Sequence, residues 1–104
     1  MIPTELQKFA ESKGVRLETS ETGFARADAV EALGLLEGTN ACVYGGDVYQ
    51  KQRLRWIPTY DNWYCERSPN ESDLEFAKRS RARALDYISQ YSRPVDPVLF
   101  ILVF

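Results

Sequence analysis

The chain has 104 residues, 44% hydrophobic and 27% charged, with two Trp, six Tyr and five Phe; such a sequence buries roughly two-thirds of its extended surface, which excludes disorder and points to one domain over residues 1–104. Thirteen bases against fifteen acids leave a net charge of −2, without the basic excess that nucleic-acid binders carry. No histidine is present, which removes the usual general base, the usual triad partner and the commonest zinc ligand together.

Thr4-Glu5-Leu6-Gln7 reads as a helix start with Thr4 as cap. Leu6, Phe9 and Ala10 follow at helical spacing, and Gly14 is its stop. Val15-Arg16-Leu17-Glu18 alternates as a short edge strand, and Thr19 to Gly23 is polar and turn-like. A second helix runs from about Arg26 to Leu36, with Ala29, Val30, Leu33 and Leu36 as its apolar stripe and Gly38 as its end. Gly34 inside it costs about 1 kcal/mol of propensity.

Residues 41 to 66 read as strands. Ala41-Cys42-Val43-Tyr44 is a short apolar run that stops at Gly45-Gly46-Asp47. Val48 to Trp56 resumes in rough alternation whose phase slips, so a bulge or tight turn belongs near Gln52-Arg53. Pro58 bends the chain, and Tyr60 to Glu66 forms another strand, with Asp61-Asn62 a possible turn before Trp63. Cys42 and Cys65 make no disulfide framework, and a reduced, buried pair is expected.

Ser68-Pro69-Asn70-Glu71 opens a helix, and Ser72-Asp73-Leu74-Glu75 offers a second capping register. Leu74, Ala77, Ala84, Leu85, Ile88 and Tyr91 then form one apolar side, with Ser80 lying in that stripe. Small residues at 77, 80 and 84 let this helix approach a sheet closely, while Lys78, Arg79 and Arg83 point outward and Arg93-Pro94 ends it. Val98 to Phe104 is an unbroken apolar run, too short for a core helix, and reads as a central strand covered on both faces. The order describes an α+β domain: a mostly antiparallel sheet of three to five strands with two or three helices packed on it. No run is long enough to cross a membrane, and Met1 to Glu5 lacks the features of a signal peptide, so a cytoplasmic location is expected.

Four groups of residues invite a chemical reading. Gly45-Gly46-Asp47 matches neither a Walker loop nor a dinucleotide fingerprint, and reads as a bulge or hairpin turn with Asp47 capping a backbone N–H. Tyr60-Asp61-Asn62-Trp63-Tyr64 sets a carboxylate and an amide among three large rings, which suits a carboxylate-bearing pocket or a protein-binding patch. The plainer alternative makes Trp63 core, with the Tyr hydroxyls satisfied at its rim. The run Lys78, Arg79, Arg81, Arg83 reads as a solvated helix face in which Glu75 pairs with Arg79, and nucleic-acid binding is not expected of it. Asp47, Asp61 and Glu66 offer a metal site or acid–base pair only if the fold gathers them, and their spacing does not demand it.

Gly45-Gly46-Asp47-Val48-Tyr49, Tyr60 to Tyr64, and the Ser80 helix that ends in Tyr87-Ile88 and Tyr91 resemble one of the small immunity-protein families of bacterial polymorphic toxin systems. Gly14-Val15, the Ala29 to Leu33 helix and Phe100 to Val103 are also similar to it, so the resemblance spans most of the chain. It implies a cytoplasmic protein without catalytic activity or cofactor that binds the toxin domain of a cognate secreted effector. Asp47, Tyr49, Tyr60, Asp61, Asn62, Trp63 and Tyr64 are then its toxin-binding or motif residues, and Gly45, Gly46, Ser80 and Tyr87 its structural motif. Two acids and four large rings exceed what so small a core holds, which places this segment at or beside the toxin-binding surface. Arg53-Leu54-Arg55 departs from the resemblance, standing where a glycine-containing turn is expected. No metal, membrane or nucleic-acid partner is expected, and the protein is expected to be a monomer or weak homodimer. Two other readings stay open: a small enzyme using Asp47 or Asp61 in a Gly-lined pocket, and a nucleic-acid or regulatory module using the rings and arginines.

Overall fold

In the computed structural model, which describes residues 1–92 and 97–104, the chain runs through a 3-10 turn (Thr4–Leu6), α1 (Gln7–Lys13), β1 (Val15–Arg16), β2 (Thr22–Phe24) and α2 (Arg26–Leu35). It continues through β3 (Gly45–Gln52), β4 (Arg55–Tyr64), α3 (Asp73–Gln90) and β5 (Val98–Val103). The five strands form one antiparallel sheet in the order β1-β2-β5-β3-β4, so the last strand is central. This is the expected α+β architecture.

Strand β5 explains the layering. Val98, Phe100 and Leu102 face the helices and join Phe24, Val48 and Trp63 against Ala29, Leu33, Leu36, Ala84 and Ile88. Leu99 and Ile101 face the other way, where Leu17, Val15, Tyr49 and Trp56 cover them. A strand buried on both faces cannot afford polar alternation, which is why its sequence is apolar throughout.

Several expectations need correction. Thr4 caps nothing: Pro3 precedes the 3-10 turn and no side chain caps it. Thr22 and Gly23 belong to β2 rather than to a turn; a Cβ at Gly23 would lie 3.1 Å from Leu99 Cβ, so the missing side chain makes room for the second cluster. In α2 the buried stripe takes Ala32 and leaves Val30 exposed. Ala41 to Tyr44 is not a strand. Its backbone is held instead by Ser80 Oγ, which accepts from Val43 N–H, and by Val103 O, which accepts from Tyr44 N–H.

The Gly45-Gly46-Asp47 stretch lies inside β3, not in a turn. The reason is steric, because a Cβ on Gly46 would sit 2.2 Å from Trp63 Cη2. The anticipated tight turn falls at Arg53-Leu54, where Arg53 has φ 58°. Pro58 does not divide two strands; it lies within β4, an edge strand, where a missing N–H is tolerated. Asp61-Asn62 is likewise strand rather than turn.

For α3 the second capping register wins. Ser72 Oγ accepts from Glu75 N–H and the Glu75 carboxylate accepts from Ser72 N–H, a complete capping box. Phe76, Ala77, Ser80, Arg81, Ala84 and Ile88 are buried, whereas Leu74 and Leu85 are exposed. The buried stripe is thus rotated toward Phe76. The helix stop assigned to Arg93-Pro94 lies outside the described residues. Both cysteines are free thiols; Cys65 is buried, but Cys42 is only half-buried.

Candidate functional site

Strands β3 and β4 make a long hairpin at one margin of the sheet, paired from Gly45↔Tyr64 to Gln52↔Arg55. Alternation along β3 sends Gly46 and Val48 toward the helices and Asp47 and Tyr49 to the helix-free face. Across the ladder, Asn62 opposes Asp47 and Tyr64 opposes Gly45 on that free face, while Trp63 opposes Gly46 on the helix side. The register shifts between Asp47 and Tyr49, and Tyr60 takes φ 68° at this bulge. Thr59 pins the bulge: its hydroxyl donates to Val48 O at 2.9 Å and accepts from Asp61 N–H at 3.0 Å.

The segment Tyr60 to Tyr64 is therefore divided between two environments. Tyr60 is 84% exposed and Tyr64 68%, with exposed Asn62 between them. Trp63 is only 4% exposed, and its indole stacks on Tyr87 with centroids 4.6 Å apart. Tyr91 continues this stack beside Tyr87 and meets Phe100 edge-on at 5.5 Å. Its hydroxyl donates to Asp61 Oδ2 at 2.8 Å, which ties the carboxylate to the helix side. Burial, followed by the charge on Asp61, pushes the Tyr87 hydroxyl above its usual range. Tyr87 is thus a half-buried ring packed against the core. Ser80 is fully buried, with its hydroxyl engaged by Val43 and Ala77.

On the free face, Asp47 and Tyr49 are half-buried beside the cluster of Leu17, Leu99 and Ile101. Partial burial, then the nearby Glu21 charge, raises the Asp47 carboxyl above its ordinary value. The Tyr49 hydroxyl is raised by burial and by Glu21, Asp47 and Tyr60. Among the described residues neither Asp47 nor Glu21 has an ion-pair partner. The two carboxylates lie close enough to act on each other and on the Tyr49 ring.

Glu21 is a residue that sequence reasoning missed, because only the β1–β2 pairing brings it to this surface. The same holds for Glu18, which accepts from Arg55 Nε at 3.2 Å and Nη2 at 2.8 Å. Glu18 follows β1 and Arg55 opens β4, strands at opposite margins of the sheet. The margins therefore curl toward each other over the free face, with Leu17 and Trp56 in the cluster beneath.

The three acids weighed for chemistry do not converge. Asp47 lies on the free face, Asp61 on the helix side, and Glu66 beyond the end of β4. Among the described residues no group of three His, Cys, Asp or Glu is placed to hold a metal. The arginines of α3 are engaged locally. Arg79 binds Glu71 through Nε and Nη2 and also reaches Glu66 O and Cys65 Sγ. Buried Arg81 donates to Thr39 O and Ala41 O at 3.0 and 2.8 Å, and Arg83 donates to Tyr64 O. They staple the segments that flank the hairpin and do not form a free basic stripe. Among the described residues no helix is long and apolar enough to cross a membrane.

No curated protein and no solved structure matches the chain. The family model of Immunity protein 40 does match, over residues 11–104, a span that takes in the glycine–aspartate strand, the Tyr60 to Tyr64 segment, α3 and the closing strand. That match covers most of the chain and shows the family: the chain belongs to the Immunity protein 40 family.

Proposed function

We propose that this protein binds the toxin domain of a cognate secreted effector in the cytoplasm and neutralises it by occupancy, with no chemistry of its own. The docking surface is the helix-free face of the β3–β4 hairpin. The observation that carries this reading is the outward row Tyr60, Asn62 and Tyr64, flanked by Asp47 and Tyr49. Large rings with polar tips on a paired strand lose little freedom on binding, which is why such residues serve as interface anchors. The divergence of Asp47, Asp61 and Glu66 favours occupancy over catalysis, since acid–base work needs groups within reach of one substrate.

Calorimetric titration with the cognate toxin domain, together with growth rescue of cells expressing it, tests the reading. Tyr60→Ala and Tyr64→Ala are each expected to weaken binding at least about tenfold, or 1.4 kcal/mol, with an unchanged melting transition. Parent-like affinity in both variants removes this face from the interface.

A further inference from the structure

The turn between β3 and β4 consists of Arg53 and Leu54, since Gln52↔Arg55 is the last strand pair. Arg53 has φ 58°, and of the two turn residues it alone is at positive φ. A two-residue hairpin turn with that requirement at its first position is ordinarily supplied by glycine. An arginine there stores backbone strain. Among the described residues the Arg53 side chain makes no hydrogen bond, ion pair or ring contact that would offset it. Its neighbour Leu54 is 93% exposed, so this large apolar side chain contributes nothing to the core either.

The bases on either side of the turn are both engaged. Arg55 is fixed by both oxygens of Glu18, and Lys51 Nζ sits over the Trp56 ring at 5.6 Å. Past Lys51, whose N–H donates to Pro97 O at 3.2 Å, the tip runs beyond the end of β5. Pairing of β3 with β5 ends at Gln50↔Val98, beyond which the hairpin continues with β4 alone as its partner strand. Three bases fall within Lys51 to Arg55 of a chain whose net charge is −2. Two of them are engaged by Glu18 and Trp56, which leaves the guanidinium of Arg53 as the outward charge. A strained, solvent-facing Arg-Leu pair has the character of an interface anchor, because both side chains have surface to bury on binding.

We propose that the Arg53–Leu54 tip inserts into a cleft of the cognate toxin domain, Leu54 filling an apolar pocket and the Arg53 guanidinium meeting a carboxylate at its rim. This rests on the toxin-binding role proposed above and adds a second contact, continuous with Tyr49 and Tyr60 along the same hairpin.

The test is calorimetric titration of the full chain against the cognate toxin domain, with Arg53→Gly, Leu54→Ser and Tyr60→Ala in parallel and a thermal melt for each. Arg53→Gly is expected to melt no lower than the parent, since glycine suits the turn, yet to bind at least about tenfold more weakly. Leu54→Ser is expected to lose at least about tenfold in affinity with an unchanged melt. If either variant binds within about twofold of the parent, the anchor is refuted; Tyr60→Ala that still weakens binding then leaves the wider role standing. A parent protein that neither binds the toxin domain nor rescues growth overturns both.

Discussion

Ser80 Oγ lies 3.0 Å from the backbone nitrogen of Val43 and accepts its hydrogen bond at a fully buried position. The same hydroxyl donates to Ala77 O at 3.1 Å. Ser80 thereby supplies the acceptor that Val43 N–H would otherwise find on a neighbouring strand. Ser80→Ala leaves a buried N–H without a partner and is expected to cost about 1–3 kcal/mol. Ser80→Leu adds overpacking between helix and sheet and is expected to cost more. Urea denaturation with matched m-values measures both. A Ser80→Ala loss below about 0.5 kcal/mol, the level of a surface change, rules out this role.

Gly46 and Trp63 are a second pair whose identities depend on each other. A Cβ at Gly46 meets the indole at 2.2 Å and the Ile101 carbonyl oxygen at 2.3 Å. The ring has little freedom to retreat from its stack on Tyr87, and the backbone oxygen belongs to the central strand. Gly46→Ala is therefore expected to cost about 3 kcal/mol or more, at the upper end of overpacking effects. Gly34→Ala is the internal control: its Cβ meets nothing within 4 Å, and helix propensity predicts a gain of up to about 1 kcal/mol. Equal effects at the two glycines contradict the steric account.

The same pair shows what local pattern can and cannot carry. β5 is legible because burial on both faces leaves an unbroken apolar run, and α3 because a Ser-x-x-Glu box marks its start. Both glutamates accept from a serine N–H, Glu71 from Ser68 and Glu75 from Ser72, but only Ser72 returns the bond from its side chain, a difference the two local patterns do not carry. Gly45-Gly46 reads as a bulge or hairpin turn because sequence records a missing side chain and not the indole that fills the space; the register does shift just after Asp47, but the glycines themselves are strand. In the candidate site, the prominence of Tyr60 to Tyr64 is legible, but pairing with β3 decides that Asp61 and Trp63 turn inward. Glu21 and Glu18 carry no local signal at all; a two-residue edge strand brings them to the free face.

Glu71 gives a prediction in pH. Hydrogen bonds from Arg79, then from Ser68 N–H, hold its carboxyl down to about 2, against an ordinary value of 4.5. A carboxyl lowered in the folded state stabilises it fully above the unfolded value, and the contribution drains away as pH falls from 4.5 to about 2. Glu71→Gln is expected to melt below the parent at neutral pH and to converge with it through that acid window. Melting curves across the window check the sign: a difference that widens on acidification contradicts the pairing.

Asp47 carries the opposite sign and links stability to binding. Burial and Glu21 raise its carboxyl above the ordinary 3.8, so protonation favours the folded state. Its stabilising contribution is full below the unfolded value and lost as pH rises through the folded one. At neutral pH the ionised Asp47 is thus a cost to the fold, and no cation among the described residues offsets it. Asp47→Asn keeps the shape and removes the charge, and is expected to raise the melting temperature at neutral pH, with the gain vanishing in acid. If a basic group of the toxin answers that charge, the same variant binds about tenfold more weakly or worse, since removing one member of a desolvated pair costs about 2–5 kcal/mol. Melting and titration of one variant give both readings. A stabilised Asp47→Asn with parent-like affinity places the carboxylate outside the contact; a destabilised one shows that Asp47 holds the fold rather than the partner.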